Sequence, residues 1–313
     1  MQIHRFRARA SRRWLVILVT LLGISAGPSR AAEAPWVEVD QWREPGGEVL
    51  TVAVGPDSAS IVTGTANGVV RLRNVLTGKS SALRGHTDAV NDVAYDPKGR
   101  YVVSAGKDRT LRVWDVESRR MRLEIHGTRA AATAVAVDGT RDIIISGGSD
   151  NVVRFFDAAS GGKLRECGVR GTVGTVDDIV VESNGVMVLV SGGPFGATSI
   201  RPHGVNIETA GPLDLSYIAA KNEAIGASIA QSADGKTLAL GGDAGVLTVW
   251  TQGVLARRST GHTSEINGVA IAPTGETIAT AGADGTVRLW DTTTGDQIGL
   301  LEGHSKPVND VAF

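Results

Sequence analysis

Apolar positions recur in short runs along most of the chain. They stand at Val90, Val93 and Tyr95, at Tyr101 and Val103, and at Leu111 and Val113, the alternation that turns one face of a strand into a core. The first and second runs of a unit are separated by "DPKG", "SADG" or "APTG", with Pro or Ala second and Gly last, as a type I turn prefers. Each group of runs therefore predicts a small antiparallel sheet of four strands. The segment Trp14 to Ile24 differs, being an unbroken apolar run of eleven residues.

The units copy one another. "GHTDAVNDVAYDPKGRYVVSAGKDRTLRVWDV" (Gly85 to Val116) aligns with "GHTSEINGVAIAPTGETIATAGADGTVRLWDT" (Gly261 to Thr292) over 32 positions without a gap. Arg73, Trp114 and Phe156 fall at one position of the repeat, 41 and 42 residues apart, and Trp250 and Trp290 are 40 apart. The 94 residues from Phe156 to Trp250 leave room for one more copy, degenerate, within "VDDIVVESNGVMVLVSGGPFGATSIRPHG". The Gly-His opening, the Trp-Asp close and this period resemble the WD40 repeat.

That resemblance implies an all-β propeller, because a lone unit cannot hide both of its apolar faces and neighbours must stack into a closed ring. Counting strand starts near Val49, Val90, Thr133, Val176, Ile225 and Ile266 gives six complete four-stranded antiparallel blades, with an incomplete seventh beginning at Val308. In the family the repeat is offset from the blade, so "WVEVDQWREPGGEV" (Trp36 to Val49) is expected as the outer strand of the closing blade. Since "GHSKPVNDVAF" ends the chain where "GHTDAVNDVAY" only begins a unit, the sequence is expected to be a fragment of a longer protein.

Residues 1–31 have the form of an export signal: a basic head (Arg5, Arg7, Arg9, Arg12, Arg13), the apolar run, and the small-x-small site Ser29-Arg30-Ala31. A membrane crossing takes about 20 residues, so cleavage after Ala31 is expected, with no stable membrane span. Ser11-Arg12-Arg13-Trp14-Leu15-Val16 resembles a twin-arginine signal, but paired arginines also occur in the heads of ordinary ones. The expected location is periplasmic or secreted. Losing these six Arg and no acid leaves 26 basic against 33 acidic residues, a mature net charge of about −7, which argues against nucleic acid as a partner. The lone Cys167 excludes an internal disulfide and reads as a buried small apolar residue.

His86, Ser104 and Asp108 are the residue set of a serine hydrolase. His262, Thr280 and Asp284 repeat it at the same offsets, and Trp114 and Trp290 each follow the Asp by six. A catalytic set is needed once; a set that recurs with the repeat belongs to the repeat. In the WD40 family these positions form a structural network, so no catalytic residue and no enzyme activity are expected. Other units depart from the pattern: Thr63, Asn67 and Arg73 in the first, Thr128, Ser146, Asp150 and Phe156 in the third, Ser191, Phe195 and Arg201 in the fourth, Leu240, Ala244 and Trp250 in the fifth. The repeat takes His304 as well, leaving His126 and His203, too few for the metal centres propellers build. No metal and no cofactor are expected.

The family then implies a rigid platform that binds a protein partner on its loop-rich faces. Asn91, Asn267 and Asn309 each stand five residues after the repeat His, and Lys107, Ser149 and Ala283 each precede the turn Asp, which makes them the candidate partner-binding face. The asparagines read more readily as groups that satisfy backbone at a strand's end. Two functions follow: a non-catalytic scaffold for protein–protein interaction, or an accessory propeller of an exported enzyme or c-type cytochrome whose catalytic part lies beyond residue 313.

Overall fold

The computed structural model describes residues 15–17, 41–44, 47–168, 175–181, 188–190, 198–200, 226–242, 244–252 and 254–313. Among them five four-stranded antiparallel sheets form, each in simple sequential order. The first comprises Val49–Val54, Ser60–Thr65, Val69–Asn74 and Ser80–Arg84. The second comprises Val90–Tyr95, Tyr101–Gly106, Thr110–Asp115 and Met121–His126, and the third Ala132–Asp138, Ile143–Gly148, Val152–Asp157 and Lys163–Gly168. Gly226–Gln231, Thr237–Gly242, Val246–Thr251 and Val254–Thr260 make the fourth, and Ile266–Ile271, Thr277–Gly282, Val287–Asp291 and Gln297–Leu301 the fifth. No helix among the described residues is long and apolar enough to cross a membrane.

The chain is thus an all-β propeller with five blades among the described residues, which corrects the expectation of six complete blades and an incomplete seventh. In place of a complete blade from Val176, the described residues give an extended stretch at 175–181 and a two-stranded sheet of Val188–Val190 and Thr198–Ile200. Val308 to Phe313 form no strand. The physical reason is that a period counts copies of a sequence, whereas a strand exists only where a neighbour offers it a ladder of N–H and C=O groups.

Packing between blades builds the core. Val62, Val70 and Leu72 of the first blade meet Val90, Val93, Val102 and Trp114 of the second. Tyr101, Val103, Leu111 and Val113 of the second in turn meet Val135, Val137, Ile144 and Phe156 of the third. The fourth and fifth join through Leu247, Val249, Ile266, Ile278 and Trp290. Each of these large side chains contributes about 1.5–3 kcal/mol by leaving water. The stretch at 175–181 bridges third and fourth blades, with Val176 and Ile179 against Ile145 and Val153, and Val180 against Leu238 and Leu240. Val308 and Val311 pack on Ala281 and Val287 of the fifth blade.

Every first strand carries a bulge at its start, at Val49/Thr51, Val90/Asp92, Ala132/Ala134, Gly226/Ser228 and Ile266/Gly268. A bulge re-aims the next side chain. Gln41–Arg43 pairs with Leu15–Ile17, so the chain before the first blade forms its own two-stranded sheet.

Candidate functional site

Two blades hold the complete polar set. His86 Nδ1 lies 2.9 Å from Asp108 Oδ2, His86 Nε2 lies 2.7 Å from Ser104 Oγ, and Trp114 Nε1 donates to that oxygen at 2.8 Å. In the fifth blade His262 is 2.9 Å from Asp284 and 2.7 Å from Thr280 Oγ1, to which Trp290 Nε1 donates at 2.9 Å. A carboxylate only accepts, so Nδ1 carries the proton, and Nε2 accepts from the hydroxyl. The hydroxyl oxygen is left with the indole N–H as its donor. Every polar atom of the set has a partner.

The same bonds would orient a nucleophile, but Ser104 and Thr280 are fully buried, and their oxygens already accept from tryptophan. They hold strand to strand and reach no substrate. Burial pushes the imidazoles of His86 and His262 below the ordinary histidine value, against the pull of Asp108 and Asp284, and so favours the neutral ring. Burial alone would raise Asp284, yet bonds from Thr286, the Thr263 N–H and His262 outweigh it and hold the carboxyl at about 2. Glycine makes the room: a Cβ at Gly106 would stand 2.4 Å from His86 Nδ1, and one at Gly282 2.3 Å from His262 Nδ1.

The remaining blades keep fragments of this set. In the third, Ser146 is fully buried and its hydroxyl has no partner among the described residues, because Phe156 supplies no N–H. Thr128 donates instead to the Arg109 carbonyl, and Asp150 accepts from Arg154 at 3.1 and 2.5 Å. In the fourth, Leu240 occupies the hydroxyl's place, and the Trp250 indole N–H has no partner among the described residues. The first blade borrows its missing groups from outside the repeat. Buried Glu44 accepts from Thr63 Oγ1 at 3.4 Å and pairs with Arg71, and the Arg73 guanidinium lies 4.9 Å over the Trp42 ring. Ser191, Phe195, Arg201 and His203 lie outside the described residues.

A second recurrent set joins the blades to one another. Asp92 accepts from the Val135 N–H at 2.7 Å, Asp178 from the Ile229 N–H at 2.9 Å and Asp310 from the Val52 N–H at 2.8 Å, each joining one inner segment to the next blade. Burial, and repulsion from Asp178 and Asp310, push Asp92 well above the carboxylate range. The signal was present as V-x-D at Val90, Val176 and Val308. Asn91, Asn267 and Asn309 work beside these residues: their amides donate to the carbonyls of Ala132, Val308 and Val49 at 2.8, 2.9 and 2.7 Å. They are half-buried joints between neighbouring segments. Lys107 and Ser149 are exposed on turns between second and third strands, where Ala283 is half-buried.

His126 is exposed, with Glu124 3.6 Å away, and the described residues hold no cluster of three metal-ligating side chains. Half-buried Cys167 lies against Val153, its thiol pushed up to about 11 by burial.

Residues 78–115, 119–157 and 253–291 match the WD40 family, described as WD domain, G-beta repeat. Those three segments are similar to WD40 repeats. The first two matched segments begin at or just before an outer strand and end in the third strand of the following blade, so repeat and blade are out of phase. The chain is 31% identical to an autophagy-related protein 16 of Arabidopsis thaliana over 149 residues, 47% of this chain and 28% of that one. It is 22% identical to a serine-threonine kinase receptor-associated protein of Gallus gallus over 256 residues, 81% of this chain and 69% of that one. Over 277 residues it is 25% identical to a eukaryotic translation initiation factor 3 subunit I of Aspergillus oryzae, 78% of each chain. WD40 repeat proteins act as protein-interaction scaffolds, and the hydroxyls of the two complete sets in this propeller are sealed inside the blades.

Proposed function

We propose that this propeller is a scaffold that holds a protein partner on the end where the loops before first strands meet the turns between second and third strands. One observation carries the reading: the polar groups that resemble chemistry face inward, while Lys107, Arg109, Arg129 and Ser149 on those loops face solvent. The test is a photo-crosslinking residue placed at Ser149, with a control at Leu300 on an outer strand. Adducts with a partner are expected at Ser149. Adducts confined to Leu300, or turnover of a substrate abolished by Ser104→Ala, would remove the reading.

We also propose that the scaffold is exported, on the strength of the basic head, the eleven-residue apolar run and the small-residue site at Ser29 to Ala31. Cell fractionation and the mass of the native N-terminal peptide check it. A cytosolic protein retaining residues 1–31 would sink it.

A further inference from the structure

The turn between second and third strands requires a left-handed residue in all five blades. Gly68, Gly245 and Gly285 supply it with φ of 80, 72 and 81°, and Asn151 with 59°. These are the residue types that tolerate such backbone. The second blade places Arg109 there, at φ 67°. Its side chain is exposed and has no hydrogen bond or ion pair among the described residues, so no internal contact explains the strain. Arg119, at φ 58° on the opposite end of the same blade, is different: its guanidinium donates to Ser81 of the first blade at 2.6 Å.

Two further cations stand beside Arg109. Lys107 is two residues away on the same turn, whose backbone is fixed by the Lys107 N–H donating to the Ala89 carbonyl at 2.8 Å. Arg129 lies on the adjoining loop, tied to the turn where Thr128 donates to the Arg109 carbonyl. Both side chains are exposed, and neither makes an ion pair among the described residues. Of the nearby acids, Asp108 is turned inward onto His86, and Glu166, which accepts from Lys163 at 2.7 Å, also attracts Arg129. Asp88, exposed on the preceding loop, accepts from the Ala89 N–H and makes no ion pair among the described residues. Three exposed cations on adjacent loops, with only the pull between Arg129 and Glu166 set against them, make this rim locally positive.

We propose that Lys107, Arg109 and Arg129 receive an extended acidic segment of the partner protein, a proposal that rests on the scaffold reading and names the partner's chemistry. Two guanidiniums can each grip a carboxylate through two parallel N–H donors, with the ammonium as a third point of charge. Exposed ion pairs are weak singly, so recognition needs all three together and weakens with salt.

Fluorescence anisotropy of a labelled oligoglutamate peptide tests this, with an oligolysine peptide as control. The native protein is expected to bind oligoglutamate, less tightly as salt is raised, and to ignore oligolysine. Arg109→Gly is expected to weaken binding by about threefold to tenfold while leaving the melting temperature unchanged or higher, because the turn's strain is relieved. Lys107→Ser, Arg109→Gly and Arg129→Ser together are expected to abolish binding. Equal oligoglutamate binding by native and triple-variant protein, or equal binding of oligolysine, overturns the proposal. If crosslinks at Ser149 persist in either of those cases, the acidic-segment proposal alone has failed. If the native protein gives no crosslinks at Ser149, the scaffold reading has failed first.

Discussion

Asp310 Oδ2 accepts the Val52 N–H at 2.8 Å across 258 residues of chain. With the Asn309 amide on the Val49 carbonyl at 2.7 Å, it fastens the last described segment to the first blade. Burial, with repulsion from Asp178, pushes its carboxyl up to about 7 although two backbone N–H groups favour the charged form. A carboxyl raised on folding stabilises the fold fully below the unfolded value near 3.8, and that contribution is lost as pH rises through about 7. Asp310→Asn is therefore expected to flatten the decline of stability over this window, read from denaturant midpoints at several pH values. An unchanged slope would show that the carboxyl does not titrate there.

The histidines act in the opposite sense. His86 and His262 have pKa values lowered from 6.5 by burial, so their contribution is complete above the unfolded value and is lost as pH falls through the folded one. Asp108 and Asp284 also titrate lower in the folded protein, and for Asp284 the loss runs from 3.8 toward about 2. Replacing both histidines with Asn should remove the loss that begins near 6.5 and leave the carboxylate step. Thermal melts across the acid range would separate the two; a single unaltered limb would contradict the assignment.

Ser104→Ala and Ser146→Ala change the same atom at equivalent positions of neighbouring blades. The first strands His86 Nε2 and Trp114 Nε1, at an expected cost of about 1–3 kcal/mol. The second removes a hydroxyl that has no partner among the described residues and should be neutral or slightly stabilising. Urea unfolding of the two variants compares them directly. Equal losses would mean that the bonds of the second blade contribute nothing.

Glu44→Ala leaves the Arg71 guanidinium, only 13% exposed, without its carboxylate, and about 3 kcal/mol of destabilisation is expected. Glu44→Gln should recover part of it by still accepting from Thr63. Hydrogen exchange should report the loss in the first blade and spare the fifth. A uniform loss across all blades would disagree with a local role.

The strands, turns and His–Ser–Asp–Trp positions were legible because each unit carries its partners within itself. His86 and Asp108 are 22 residues apart, and Trp114 reaches Ser104 across ten. The inner carboxylates were not legible on those terms. Their partners are backbone groups of another blade, 43, 51 and 258 residues away, which leave no mark of residue type. The bulge before Asp92 also breaks the alternation that would have assigned it a face. Glu44 and Trp42 escaped because they stand outside the repeat that they complete. Blade number was not legible because Val176 and Val308 have the sequence of a first strand, yet among the described residues neither lies in a four-stranded sheet.

In this molecule the residues that fix the architecture and the residues that meet solvent on the loops are separate groups. Ser104, Thr280 and their partners are closed off inside, whereas the tips at Lys107, Arg109 and Arg129 bear little on the interior. On the proposed reading, a handful of exchanges at those tips would rewrite recognition without disturbing the frame that presents them. Such a ring is a natural chassis for grafting new specificities.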